Sequence, residues 1–316
     1  MNRFNREEYS MYKKILGFTQ PTLLKAMKLF LEKYYTKVLA TKDFVIAFGD
    51  IPIALCAHLD TVFYTPPKNI FYDKESGVIW SPEGCGHDDR AGVYMIMKII
   101  QAGYRPNVIF TTDEEIGCKG ADKLCNYANP FEDLQYIIQL DRRGIDDCVF
   151  YYGDNQKFIK YVESFGFREA KGSFTDIVFL CPTWEVCGVN LSIGYENEHT
   201  CMEYLDVGVF YNTMNKVIKM LENPPIEKFE YTEKPVKLVK NLKLGNKCEK
   251  CGQTVYEPSE DLFPVKYKGG KRNICIECMM GGVNWCINCN EAFETTNPDA
   301  VLCDECERSM REGGQG

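Results

Sequence analysis

The sequence predicts an α/β fold, layered around a mixed and mostly parallel sheet, with a small cysteine-rich module behind it. Three observations carry this expectation. Short apolar runs of strand length alternate with stretches whose apolar residues recur at helical spacing. Acidic residues and histidines repeatedly close those runs, where the carboxyl ends of strands would lie. Past residue 247 the cysteines fall into four Cys-x-x-Cys pairs.

Composition sets the bounds. The 316 residues are 45% hydrophobic and 26% charged, which suits a globular protein with one sizeable domain plus a smaller one, or two domains. A net charge of -8 gives no general electrostatic reason to bind nucleic acid. The first residues, Met-Asn-Arg-Phe-Asn-Arg-Glu-Glu-Tyr, are too polar for the core of a signal peptide, and no apolar run reaches the roughly 18 residues of a membrane span. A cytoplasmic location is therefore expected. In that reducing setting Cys56, Cys85, Cys118, Cys125, Cys148, Cys181, Cys187 and Cys201, scattered singly, read as free thiols.

Taken in order, apolar spacing predicts helices over 8–16 and 21–35, broken near Pro21. Residues 44–48 and 51–57 read as strands joined through Gly49 and Asp50. The second is apolar almost throughout, as in a strand buried on both faces. Residues 70–72 and 78–80 flank Lys74-Glu75-Ser76-Gly77 as in a hairpin. A helix carrying Val93, Met95, Ile96, Ile99 and Ile100 follows. Strands are expected over 108–112 and 136–140, with a short helix around 120–127 between them, and 148–152 is expected to pair beside 136–140. A helix around 155–165, a strand over 186–193 and a helix from 207 to 221 complete the alternation. Pro224, Pro225 and the lysine-rich 234–247 mark a boundary. The expected organisation is a domain over 1–230, a linker over 231–247 and a module over 248–316.

Four motifs sit at predicted strand ends: His58-x-Asp60, Asp88-Asp89, Glu114-Glu115 and Asp141; His199 lies before a helix. Each alone has an ordinary explanation, such as a core histidine, a solvated helix start or a turn aspartate. Their ordered co-occurrence points instead to a metal site. Two divalent ions need a shared carboxylate and further N or O ligands. Asp88 as the shared group, Glu115 and Asp141 as terminal carboxylates, and His58 and His199 as imidazole ligands meet that demand. Glu114, beside a ligand, is placed to take a proton from the attacking water, and Asp60 to fix the tautomer of His58.

In this order the motifs resemble the co-catalytic zinc exopeptidase superfamily of aminopeptidases, carboxypeptidases and deacylases, over about the first 225 residues. The resemblance implies a three-layer α/β/α fold and two catalytic zinc ions, one on His58, Asp88 and Asp141, the other on Asp88, Glu115 and His199. It further implies Glu114 as general base and Asp60 as the support of His58. Asp88-Asp89-Arg90 with Glu114-Glu115-x-Gly117 is most similar to the oligomeric aminopeptidase branch. The large domain that many relatives insert has no counterpart in the short intervals here. The implied activity is aminopeptidase-like hydrolysis of a peptide; deacylation of small N-acylated substrates and a catalytically inactive interaction protein are the alternatives.

Other residues carry weaker expectations. His87 could touch substrate or be structural, the loop 172–176 resembles a substrate-side loop, Arg142 and Arg143 could hold a substrate carboxylate, and Glu203 could orient His199. In the tail, Cys248, Cys251, Cys275 and Cys278, then Cys286, Cys289, Cys303 and Cys306, offer eight thiolates, enough for two structural zinc ions in sequential ribbons, with an interleaved cross-brace as alternative. Such a module usually binds something, and its mixed charge favours a protein partner at least as much as nucleic acid.

Overall fold

Asn5 starts the first helix because its side chain accepts from the backbone amides of Glu7 and Glu8, at 2.8 and 3.0 Å, while Glu8 reaches back to the amide of Asn5. That helix, α1 (Arg6–Leu16), buries Tyr12, Ile15 and Leu16; α2 (Gln20–Leu31) takes Pro21 in its first turn. It ends four residues before the expected boundary, and Tyr35 instead anchors the exit by donating to the Pro106 carbonyl at 2.9 Å. The computed structural model describes residues 3–172, 174–234 and segments between 246 and 312. The chain divides into two units, Met1–Pro235 and Val236–Gly316.

An eight-stranded mixed sheet forms the middle of the first unit. Its strands are β1 (Val38–Ala40), β2 (Phe44–Ala47), β3 (Ile51–His58), β6 (Pro106–Thr111), β7 (Tyr136–Arg142), β8 (Asp147–Val149), β9 (Arg168–Glu169) and β10 (Cys187–Ser192), in the order β1-β2-β6-β3-β7-β10-β8-β9. The centre, β6-β3-β7-β10, is parallel, while β2 and β8 flank it antiparallel. The side chains of β3 alternate between two cores. Ile53, Leu55 and Ala57 pack with α1, α2 and the helices α3 (His87–Gln101), α5 (Gln156–Glu163) and α7 (Val207–Glu222). Ala54 and Cys56 pack on the opposite face with α4 (Lys119–Leu124) and α6 (Ile177–Trp184). Two faces of a pleated sheet, both covered by helices, make the three α/β/α layers. A smaller antiparallel sheet, β11-β12-β5-β4, joins the expected hairpin of β4 (Phe71–Asp73) and β5 (Val78–Trp80) to β11 (Tyr195–Glu196) and β12 (Tyr204–Asp206).

Two expectations need correcting. The strand at 147–149 pairs with β10 and β9, because both edges of β7 are taken by β3 and β10. The helix α6 has no counterpart in the sequence reading. Ile177, Leu180, Cys181 and Trp184 do form a buried helical stripe, but Val178, Phe179 and Pro182 between them erase the contrast that periodicity needs.

Of the lysine-rich stretch, residues 235–245 lie outside the described residues. Before it, Lys234 donates its amide to the Tyr152 carbonyl at 2.7 Å and Glu233 bridges to Gly153. In the second unit, Leu262–Tyr267 pairs antiparallel with Gly270–Cys275, and Val283–Trp285 with Ala292–Glu294; the helix Asp304–Glu312 follows. Among the described residues no helix is long and apolar enough to cross a membrane.

Close packing of α3 against β7 depends on Gly92, where an added Cβ would collide with the Leu140 carbonyl oxygen. Gly92→Ala is expected to destabilise the first unit by about 1–3 kcal/mol through overpacking, read as a lower urea midpoint.

Candidate metal centre

The parallel centre of the sheet delivers β3 and β7 side by side, so His58 and Asp141 emerge at the same edge. His58 is 1% exposed. Its Nε2 lies 3.0 Å from Asp88 Oδ1 and 3.4 Å from Asp141 Oδ1. On the far side of Asp88, His199 Nε2 lies 3.2 Å from Oδ2 and 3.0 Å from Glu115 Oε2. Two triads result, His58/Asp88/Asp141 and Asp88/Glu115/His199, with the ligand atoms of each within 4.8 Å of one another. They share Asp88, which presents one oxygen to each imidazole.

Asp60 ties two of these strand ends together. Its Oδ1 lies 3.3 Å from His58 Nδ1, within ion-pair range though misaligned for a hydrogen bond. Its two oxygens also accept from the backbone amides of Glu114 and Glu115, at 3.0 Å each. Asp89 does not face the triads: its oxygens accept from the amides of His58 and Gly92. Asp141 is aimed by Tyr195, whose hydroxyl donates to Oδ1 at 3.1 Å, and by Thr175 and Gln139, which donate to Oδ2 at 2.8 and 3.2 Å.

Glu203 has a different place from the one its spacing suggests. Rather than orienting His199, its buried carboxylate accepts from the amides of Cys85, Gly86 and Asp88 at 3.1, 2.6 and 3.0 Å, clamping the turn that carries Asp88. His87 faces away from the triads. Its Nδ1 meets the Tyr12 hydroxyl at 2.7 Å and its Nε2 meets the Ile79 carbonyl at 3.1 Å, and burial pushes its pKa down to about 3, so it is a neutral core residue. Arg142 and Arg143 pair with Asp147 and Glu198. Asp176 accepts from Thr111 at 2.5 Å. Of that expected substrate-side loop, Ser173 lies outside the described residues. Glu114 is within 3.6 Å of the Cys118 thiol.

The electrostatics of the cluster are those of crowded carboxylates. Burial and the charge of Asp88 push Asp141 up to about 7. Burial, then Asp141, Asp176 and Glu115, push Glu114 up to about 9 against the pull of His58. Hydrogen bonds donated by its imidazole to Asp88 and Glu115 push His199 up to about 10. One oxygen of Glu115 is buried without a partner among the described residues. Carboxylates that hold a proton so firmly on an imidazole also favour a divalent cation in its place, and the mixed N/O donor set fits one in each triad.

A cavity of about 520 Å³ opens beside Asp60 and Glu115, walled by the α1–α2 connector and residues 61–67. In the second unit, the sulfurs of Cys286, Cys289, Cys303 and Cys306 lie within 4.8 Å of one another, four donors as a structural zinc site takes. Lys266 Nζ lies 3.5 Å from Cys289 Sγ and 2.8 Å from both Glu291 and Glu305. Cys248, Cys251 and Cys278 lie outside the described residues, and of Cys275 only its place at the end of a strand is described.

The sequence signature of the peptidase family M20/M25/M40 matches residues 54–154. No curated protein matches the chain. Solved structures do. A tripeptidase from Staphylococcus aureus superposes with a TM-score of 0.57 at 12% identity, covering 70% of this chain and 99% of that one. The aminopeptidase PepT from Bacillus cereus superposes at 0.56 and 14%, covering 69% and 98%. A TET aminopeptidase from a marine sediment Thaumarchaeota archaeon superposes at 0.56 and 14%, covering 70% and 98%.

Removing the Glu203 carboxylate leaves three amides of the Asp88 turn without their acceptor. Glu203→Ala is expected to weaken divalent-metal binding roughly ten- to hundredfold, measured by competition with a chromogenic chelator.

Proposed function

We propose that this chain, whose first unit belongs to the co-catalytic zinc exopeptidase superfamily and is a metal-dependent peptidase, removes residues from the amino end of peptides with a pair of zinc ions. The observation that carries the reading is the sharing of Asp88 by two triads, each with its own histidine and second carboxylate. His58 and Asp141 would hold one ion, Glu115 and His199 the other, with Asp88 between them. Bound there, the ions would polarise the scissile carbonyl and acidify the attacking water.

The remaining chemistry falls to the chain. Asp60 anchors the backbone amides of Glu114 and Glu115, and the Glu114 carboxyl feels the charges of His58, Asp141 and Glu115. It would accept the proton of the attacking water and return it to the leaving amine. Positive charge in the two triads would offset the carboxylate crowding that raises Glu114, leaving it ionised for that first step. Asp60 keeps His58 and the Glu114-Glu115 turn in register with each other, and Tyr195 and Thr175 keep Asp141 aimed. The thiolate set of the second unit supports a structural zinc ion. Free thiols at Cys56, Cys118, Cys148, Cys181 and Cys187 fit a reducing, cytoplasmic setting.

Assayed on free-amino peptides and on acylated amino acids, the wild type is expected to cleave the former. Glu114→Gln should lower kcat by about 10²–10⁴ with metal content unchanged. Equal turnover by both proteins would remove Glu114 from the mechanism, and cleavage of acylated substrates alone would favour a deacylase. Metal analysis supplies a separate check. Cys286→Ser combined with Cys303→Ser should lose one thiolate-bound ion while the ions of the first unit remain.

A further inference from the structure

Arg90 is 4% exposed and lines the cavity beside the centre. Its Nε and Nη1 are buried without a hydrogen-bond acceptor among the described residues. A guanidinium in that condition is unusual, because a buried charge is ordinarily paired. An arginine side chain is a cation at neutral pH.

Each acidic side chain around the cavity has partners of its own, though one oxygen of Glu115 has none among the described residues. Asp60 accepts from the amides of Glu114 and Glu115 and faces His58. Asp113 exchanges two hydrogen bonds with Gln20, at 2.8 and 3.0 Å. Glu115 faces His199. Much of the remaining wall is apolar, with Phe18, Phe63, Pro66 and Ile116. Arg90 is the one cation among the residues that line the cavity, its nearest counter-charge is Asp60, and the cavity adjoins the triad residue Glu115.

We propose that this cavity is a carboxylate-recognition subsite in which Arg90 pairs with an anionic group of the peptide substrate. A planar guanidinium fork matches a carboxylate in geometry and charge. The inference rests on the peptidase reading and deepens it by naming the substrate class, peptides carrying a carboxylate within a residue or two of the cleaved bond. Two sources share that chemistry: the free carboxyl terminus of a very short peptide, and the side chain of an acidic residue.

Equilibrium binding separates them. The full-length, metal-loaded Glu114→Gln protein would be titrated calorimetrically with Ala-Ala-Ala and its carboxamide, then with the carboxamides of Glu-Ala-Ala and Gln-Ala-Ala. Within one pair, the carboxylate-bearing member should bind roughly ten- to hundredfold more tightly, and that pair identifies the source. Adding Arg90→Gln should abolish the difference. Ile116→Trp, at a position 60% exposed, should narrow the cavity and weaken the same peptides without touching the core, which keeps the test decisive if Arg90→Gln does not fold. Equal affinities in both pairs, a preference that survives Arg90→Gln, or no effect of Ile116→Trp would each overturn the assignment. Hydrolysis by the wild type is scored separately. Discrimination in binding without turnover would defeat the peptidase reading alone, and turnover without discrimination would defeat the subsite alone.

Discussion

Burying a carboxylate is unfavourable unless its oxygens are met by donors or cations, and this fold buries Asp60, Asp88, Asp89, Asp176 and Glu203 around one end of its sheet. Most of the local architecture follows from how they are satisfied. Asp60 and Glu203 are met by backbone amides, so each carboxylate fixes a stretch of chain as well as being fixed by it. Asp89 takes the amide of His58, holding the end of β3 against the start of α3. Asp88 and Asp141 are left with imidazoles, hydroxyls and the Gln139 side chain, and with Glu115 they form the part of the cluster where negative charge remains concentrated. The division is functional: carboxylates met by amides build the frame, and those facing histidines make the centre.

The frame explains which features are legible in the sequence. Strands β3, β6 and β7 show as apolar runs because both faces of the central sheet are covered, and the polar residues that end them stand out against that background. The motifs His58-x-Asp60, Asp88-Asp89, Glu114-Glu115 and Asp141 are legible for the same reason. Apart from Asp60, the supporting groups are not. Glu203 meets residues well over a hundred positions earlier in the chain, and Tyr195 reaches Asp141 only because β10 lies against β7. Nothing local in either segment records such a contact. Helix α6 is hidden by uniform apolarity, and Arg90 reads as one more residue of an acidic motif until the packing shows it enclosed.

The two units carry donor sets of different chemistry. Mixed imidazole and carboxylate donors at strand ends leave an ion with open positions, while four thiolates close around one. The first unit has a large apolar core of its own on each face of the sheet, whereas among the described residues of the second unit Cys286, Cys303 and Cys306 cluster with Phe293.

The clamp formed by Glu203 has a consequence for how the protein is made. The turn it holds leaves the ribosome early, yet its acceptor lies 115 residues beyond Asp88, and His199 is similarly late. During synthesis the early strands can pair while the Asp88 turn still has exposed amides and the second triad lacks its imidazole. A complete centre becomes available only after nearly the whole first unit has emerged. Assembly of the two triads is thereby coupled to completion of the unit, and a nascent chain stalled before that point carries only His58, Asp88, Glu115 and Asp141 of the five residues.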